Sequence, residues 1–347
     1  MTDLREMTVA MMPKQAIRLF SGPYVAGDSM DAALTKANEL SHDRIASTID
    51  VLGEDAATDS DIAEYVRIYE RLIDRVSGDP RFAALPENLR PSISLKPSSF
   101  IIAPKDPDGQ VINPAAARWD ECAATIGRVV TLAVQSRVRI TIDMENHQWT
   151  DFTLKLHRSL FQQHGPLVGT VIQSRLFRTG DDVEQLPDGC RIRLCIGIYN
   201  EPPEFAIRDM DEMKARMIPL ARRLFEKGVY VEFATHDIPL IRRFVTEVIV
   251  PGHIHADRFE TQTLLGVPRQ KLISELVTGG YFAGIPGGNG ADASLRSGIV
   301  HRMYVPFAEH WDKAIAYCRR RLKHSPNLFW TGFVNAPRVL YHSFRGK

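Results

Sequence analysis

Cysteine is scarce. The chain carries four in 347 residues, with no Cys-x-x-Cys pair and no histidines beside them at zinc spacing. That argues against a disulfide scaffold or a thiolate metal centre and points to a reducing cytoplasm. An excess of charge of one sign is also missing. With 43 Lys and Arg against 42 Asp and Glu, the net charge is +1, and nucleic acid is not an expected partner. No apolar run approaches the roughly 20 residues that a membrane helix needs. Asp3 and Glu6 break the basic-then-apolar layout of a secretory leader, so a leader is not expected. There is no Gly-x-Ser-x-Gly elbow and no cysteine beside a plausible histidine base, which disfavours nucleophilic catalysis. No Gly-x-Gly-x-x-Gly follows any candidate strand; the one glycine cluster, Gly284 to Gly290, precedes the last strand and reads as a surface loop. Phe20, Tyr24 and Phe100 have no basic stripe beside them and read as core rather than as a stacking platform.

What is present is a regular alternation. Short β-branched runs at Ser47–Leu52, Ser92–Lys96, Arg139–Met144, Val168–Ser174, Arg191–Ile198, Tyr230–Thr235, Phe259–Leu265 and Arg302–Pro306 read as strands. Several are nearly continuous apolar runs, as a parallel strand covered on both faces requires. Helical periodicity fills Ile62–Val76, Ala115–Ser136, Asp211–Glu226 and His310–Lys323, and Asp237-Ile-Pro239 has the layout of a helix start. Ser29–Leu40 predicts a further helix ahead of the first strand. Repeated β-then-α units allow an open doubly wound sheet or a closed barrel. Lys96, Asp143, Gln173, Tyr199 and His236 lie near the C-terminal ends of successive strands, and only a barrel brings such ends to one mouth. The expected fold is therefore α/β, a (βα)8 TIM-like barrel. One domain is expected: an N-terminal helical arm at 1–45, the barrel at 46–327 and a tail at 328–347.

Some residues suggest chemistry directly. Tyr317, Arg320 and Arg321 share one face of a helix at i, i+3, i+4 spacing, where two guanidiniums can hold one small carboxylate. The same spacing suits a solvated basic helix end. Lys96 closes an otherwise apolar strand and needs an anion if buried; a surface strand terminus is the plainer reading. Asp143 and Glu145 share one face of an extended strand end, with Met144 on the other. They suit acid–base work or metal binding, or a structural role in which one of them pairs with Lys96. Gln173, Arg193 and His236 are polar groups beside apolar strands that require partners. A flavin ring or a pyrophosphate offers such partners, as does internal hydrogen bonding.

In order along the chain, Ser47-Thr-Ile-Asp-Val-Leu-Gly-Glu-Asp55, Ser92-Ile-Ser-Leu-Lys96, Ile142-Asp-Met-Glu145, Val171-Ile-Gln173, Arg193-Leu-Cys-Ile-Gly-Ile-Tyr-Asn-Glu201, Ala234-Thr-His236, Phe259-Glu-Thr-Gln262 with Leu264, Tyr304-Val-Pro306 and Tyr317-x-x-Arg320-Arg321 resemble the signatures of the proline dehydrogenase family. The resemblance implies a distorted barrel holding FAD. It implies oxidation of L-proline to Δ1-pyrroline-5-carboxylate by hydride transfer to flavin N5, with electrons passed on to a quinone, commonly at a membrane surface. It further implies that Arg320, Arg321 and Lys96 clamp the substrate carboxylate and that Tyr304, Tyr317 and Leu264 shape the pocket. Glu54 would pair with Arg320 as a gate, and Asp143 would hold Lys96. Gln173, Arg193, Gly197, Tyr199, Thr235 and His236 would contact FAD. The chain departs from the family pattern at Ile196 (Lys in the family), Ile198 (Ala), Arg175 (commonly Tyr), Asp237 (Asn), His324 (Glu) and Pro306-Phe-Ala308 (Pro-Tyr-Gly). These departures suggest a divergent member, and leave open a substituted proline, another cyclic amino acid or a non-catalytic proline-binding role. From outside the family, a metal-dependent barrel hydrolase would need Asp143, Glu145 and His236 as ligands.

Overall fold

A computed structural model describes residues 9, 11–53, 55–104, 111–112, 118–285 and 293–324. Eight parallel strands close into a barrel in sequence order: β1 Ile45–Val51, β2 Ser92–Leu95, β3 Ile140–Ile142, β4 Val168–Gln173, β5 Arg191–Cys195, β6 Tyr230–Ala234, β7 Phe259–Leu264 and β8 Val300–Phe307. β1 closes the ring against β8, from Ile45 opposite His301 to Val51 opposite Phe307. Each expected strand is present, and several end short of the sequence reading because the chain leaves the ladder to build the rim. β5, for example, stops at Cys195 rather than Ile198, ahead of Gly197 at φ +103°.

The helices form where their caps and apolar stripes predict. Thr58 and Asp61 form a reciprocal capping box at the start of Asp59–Gly78. Asp237 accepts from the Leu240 amide to cap Ile238–Phe244, with Pro239 in its first turn. Ahead of the barrel, the helices Lys14–Ser21 and Met30–His42 form the N-terminal extension, the second capped by Ser29. Ile17, Tyr24 and Val25 from this extension pack with Ala314, Cys318 and Leu322 of the last helix, Trp311–His324. Lys313 anchors that helix to Asp61 at 2.7 Å. Among the described residues, no helix is long and apolar enough to cross a membrane.

Strand alternation separates two environments. In β5, Ile192 and Leu194 join the apolar layer beneath the helices, while Arg191 and Arg193 turn into the lumen. Many barrels fill the lumen with branched apolar side chains. Here Lys96, Arg191, Arg193 and Arg302 pair with Asp50, Asp143, Glu232 and Glu260. At the floor, Arg302 is 1% exposed and Glu260 0%. Arg302 donates to both Glu260 oxygens, at 2.7 and 3.2 Å, and to the carbonyls of Ser47 and Asn88 at 2.9 and 2.8 Å. Removing one member of a buried pair strands the other. Arg302→Met should cost about 3–5 kcal/mol of stability, measured by urea unfolding, and Arg302→Met with Glu260→Gln should cost less than that single change.

On the other face of the wall, His301 is buried with its ring nitrogens 2.9 Å from the Thr261 and Thr263 hydroxyls. Burial, aided by His236 and Arg302, pushes its pKa down to about 3 from the usual 6.5. A histidine held neutral in the fold contributes stability above its unfolded pKa, and that stability is lost as pH falls below it. Between about pH 6 and pH 4, the unfolding free energy should fall by up to about 1.4 kcal/mol per pH unit on this account. Urea titrations of His301→Gln should show a shallower decline than the unsubstituted protein.

Candidate active site

The strand ends enclose a cavity of about 400 Å³ at the C-terminal mouth of the barrel. Its wall includes Lys96, Asp143, Gln173, Arg193, Gly197, Tyr199, Thr235, His236, Leu264, Tyr304, Tyr317, Arg320 and Arg321. Every residue singled out from the sequence as a clamp, pocket or cofactor residue therefore meets here except Glu54, which lies outside the described residues. His324 is described only as the end of its helix, and 286–290, the greater part of the glycine cluster, lie outside the described residues.

Lys96 is 4% exposed and Asp50 0%. Lys96 Nζ stands 2.5 Å from Asp50 Oδ1 and 3.5 Å from Asp143 Oδ2. Asp143 thus stands within ion-pair reach of Lys96, as expected, but Asp50 is the closer partner. Burial holds the Asp50 carboxyl above the usual carboxylate range, against the pull of Lys96. Asp143 also accepts from Arg193 Nη1 at 2.7 Å and from the Tyr304 hydroxyl at 2.7 Å. Lys96 also reaches the Tyr304 hydroxyl at 3.3 Å. The Asp143–Glu145 pair is split. Glu145 accepts from the Ser98 amide at 2.8 Å, and Met144 rather than Glu145 lines the cavity. The strand ends at Ile142, so alternation no longer governs these positions. Among the described residues, no group of three His, Cys, Asp or Glu side chains is placed to hold a metal ion.

The last helix supplies the cations of the rim. Arg321 lies over the Tyr317 ring at 5.3 Å, with Nε donating to its hydroxyl at 3.3 Å, and Arg320 lies over Tyr199 at 5.1 Å. Arg321 has no carboxylate partner among the described residues. Arg193 is also engaged within the barrel. It donates to Gln262 at 2.8 Å, Asp143 at 2.7 Å and Ser94 at 3.2 Å. Burial beside Arg321 and Arg269 pushes His236 down to about 3, so this ring offers a neutral hydrogen bond rather than a counter-charge. Three polar atoms of wall residues, Gln173 Oε1, Arg175 Nε and His236 Nδ1, are buried without a hydrogen-bond partner.

Sequence reasoning missed Asp50, Gln262 as the link to Arg193, and the methionines Met144, Met210 and Met213 on the cavity wall. Charged or polar residues at alternate strand positions (Arg191 and Arg193, Glu260 and Gln262) were the available signal for a polar lumen.

Fold and site together define a (βα)8 barrel whose mouth encloses a cavity lined by several cationic side chains. The family model for proline dehydrogenase matches residues 33–192. Proline dehydrogenase of Deinococcus radiodurans is 29% identical over 320 residues, covering 92% of this chain and 90% of that protein. Proline dehydrogenase 1 of Bacillus subtilis strain 168 is 27% identical over 311 residues, covering 89% and 88%. The structure of proline utilization A from Bdellovibrio bacteriovorus inactivated by N-propargylglycine superposes with a TM-score of 0.71 at 19% identity, over 90% of this chain and 33% of that one. A Bradyrhizobium japonicum proline utilization A mutant gives 0.64 at 18%, over 90% and 32%. The chain thus spans about a third of those two structures, which share its fold. It is similar to proline dehydrogenases over about nine-tenths of its length, and its residues 33–192 match that family's model.

Gly197 is the tightest point of the wall. At φ +103°, a Cβ there would fall 2.1 Å from Gln173 Oε1. Gly197→Ala should displace the Gln173 side chain and destabilise the fold by about 1–3 kcal/mol, visible as a lowered Tm and, in a crystal structure, as a rotated Gln173 amide.

Proposed function

We propose that this protein is an FAD-dependent dehydrogenase that oxidises L-proline to Δ1-pyrroline-5-carboxylate. The observation that carries the reading is the convergence of Lys96, Arg320 and Arg321 on one cavity whose opposite wall holds unpartnered polar atoms. The residues present fit a flavin. Gln173 Oε1 and His236 Nδ1 need partners that a ring edge can provide, and Gly197 leaves room for Gln173 to take its place in the wall. When bound, the flavin would accept at N5 the hydride leaving the ring carbon next to the substrate nitrogen. Gln173, Arg193, Gly197, Tyr199, Thr235 and His236 would hold it, Arg193 from below rather than at its phosphates.

The remaining roles belong to this chain's own groups. Arg320 and Arg321 would take the substrate carboxylate with the geometric specificity of paired guanidiniums, and Lys96 would add a point charge from the barrel side. Asp50 fixes Lys96 in place. Asp143 fixes the Tyr304 hydroxyl, so Tyr304, Tyr317 and Leu264 would present a shaped wall to the five-membered ring. Glu54 pairing with Arg320 as a gate belongs to the same reading. Exclusion of water would follow from substrate filling the cavity beneath the last helix. The N-terminal arm, the barrel and the C-terminal tail would form one domain, working in the cytoplasm. Electrons would pass on to a quinone or another acceptor, with contact at a membrane surface where the acceptor requires it.

The purified protein should be yellow, with flavin absorbance bands that L-proline bleaches anaerobically. A colourless protein that takes up no flavin from added FAD would overturn the reading. Arg321→Ala should cost about 2–5 kcal/mol of substrate binding, a rise in KM of at least about 25-fold. A panel of substituted prolines in the same bleaching assay identifies the ring the pocket prefers.

A further inference from the structure

Arg175 stands at the exit of β4, outside the roles assigned so far. Its amide donates to the Ile196 carbonyl at 3.2 Å, and its own carbonyl accepts from Ile207 at 2.9 Å, so the backbone is fixed between two strand exits. The side chain enters the cavity wall. One terminal nitrogen donates to the Tyr199 carbonyl, while Nε is buried with no hydrogen-bond partner. It has no carboxylate partner among the described residues. Glu201 attracts it from a distance but is engaged by His147 at 2.8 Å, and Arg208 repels it. Gly197 makes room for the arm, since a Cβ there would fall 2.7 Å from Arg175 Cδ. Burial lowers its pKa from the usual guanidinium value, the sign of a charge desolvated faster than it is compensated.

A partly buried guanidinium with an idle donor needs an anion from outside the chain.

We propose that Arg175 is an anion-binding residue of the cofactor pocket. The inference rests on the flavin reading above. Its ligand is an oxyanion of the dinucleotide, and two groups carry that chemistry: the pyrophosphate and the anionic pyrimidine edge of the reduced ring. Arg175→Gln is the informative change, because the amide keeps a donor for the Tyr199 carbonyl while removing the charge. Arg175→Met removes both and serves as the second variant.

The full-length protein, stripped of flavin, is titrated with FAD and with riboflavin by fluorescence quenching, and the midpoint potential of the FAD-loaded protein is measured. If Arg175 bonds the pyrophosphate, both variants should bind oxidised FAD about 10- to 100-fold more weakly and riboflavin as before. If it bonds the reduced ring, oxidised FAD should bind as before and the reduced form should weaken by the same factor. That appears as a potential lowered by about 30–60 mV for the two-electron couple. Either result supports the assignment and names the group. Affinity and potential within about twofold of the unsubstituted protein, in folded variants, would overturn it while leaving the flavin reading intact. An unsubstituted protein that binds no flavin would overturn both.

Discussion

A single hydrogen-bonded chain of charged groups runs through the barrel from floor to mouth. Arg302 holds Glu260, Gln262 bridges Glu260 to Arg193, Arg193 holds Asp143, and Tyr304 joins Asp143 to Lys96, which ends on Asp50. Every link but the two through Tyr304 is buried, so a side chain that turns away leaves a charge or a donor unsatisfied in a low-dielectric interior. The arrangement is costly in desolvation compared with an apolar lumen. In return it fixes three groups at the mouth, Lys96, Asp143 and Tyr304, whose positions then do not depend on loops. A site supported in this way is held from beneath by the scaffold itself.

The charge balance of that chain explains what the mouth can receive. The lumen cations Lys96, Arg191, Arg193 and Arg302 are matched by Asp50, Asp143, Glu232 and Glu260. The last helix adds Arg320 and Arg321 to the rim beside these pairs. That helix packs against the N-terminal extension, through Tyr24 and Ile17 against Cys318 and Leu322, and is tied by the Lys313–Asp61 ion pair. Among the described residues the arm contributes none to the cavity wall, yet it packs on the helix that carries both arginines.

Much of this was legible in the sequence because barrel walls impose strong local signals. Apolar runs such as Val168–Ile172 admit few alternatives to a buried parallel strand, and the polar residues that interrupt them at Lys96, Gln173 and His236 mark the rim. The spacing of Tyr317, Arg320 and Arg321 fixed their common face once a helix was assumed. What could not be read was pairing across the lumen. Asp50 sits in the middle of Ser-Thr-Ile-Asp-Val, and nothing nearby in sequence says that its register, opposite Ser94 of β2, brings it onto Lys96. Asp143 stands 3.5 Å from Lys96, but no local signal shows that it is shared with the guanidinium of Arg193, which lies fifty residues later in sequence and 2.7 Å away in space.

The departures from the family pattern fall unevenly, and the architecture accounts for this. Residues inside the hydrogen-bonded chain are constrained by several partners each, so replacing one would strand the rest, and Lys96, Asp143, Arg193 and Tyr304 all match the family motifs. Ile196, Ile198 and Arg175 lie just past the ladder, at the exits of β4 and β5, where each side chain meets few partners and the backbone is set by Gly197. Such positions can exchange identity without disturbing the lumen. Not every departure lies at such a position, since Phe307 is buried in the ladder of β8 opposite Val51 and packs in the apolar layer rather than in the lumen network.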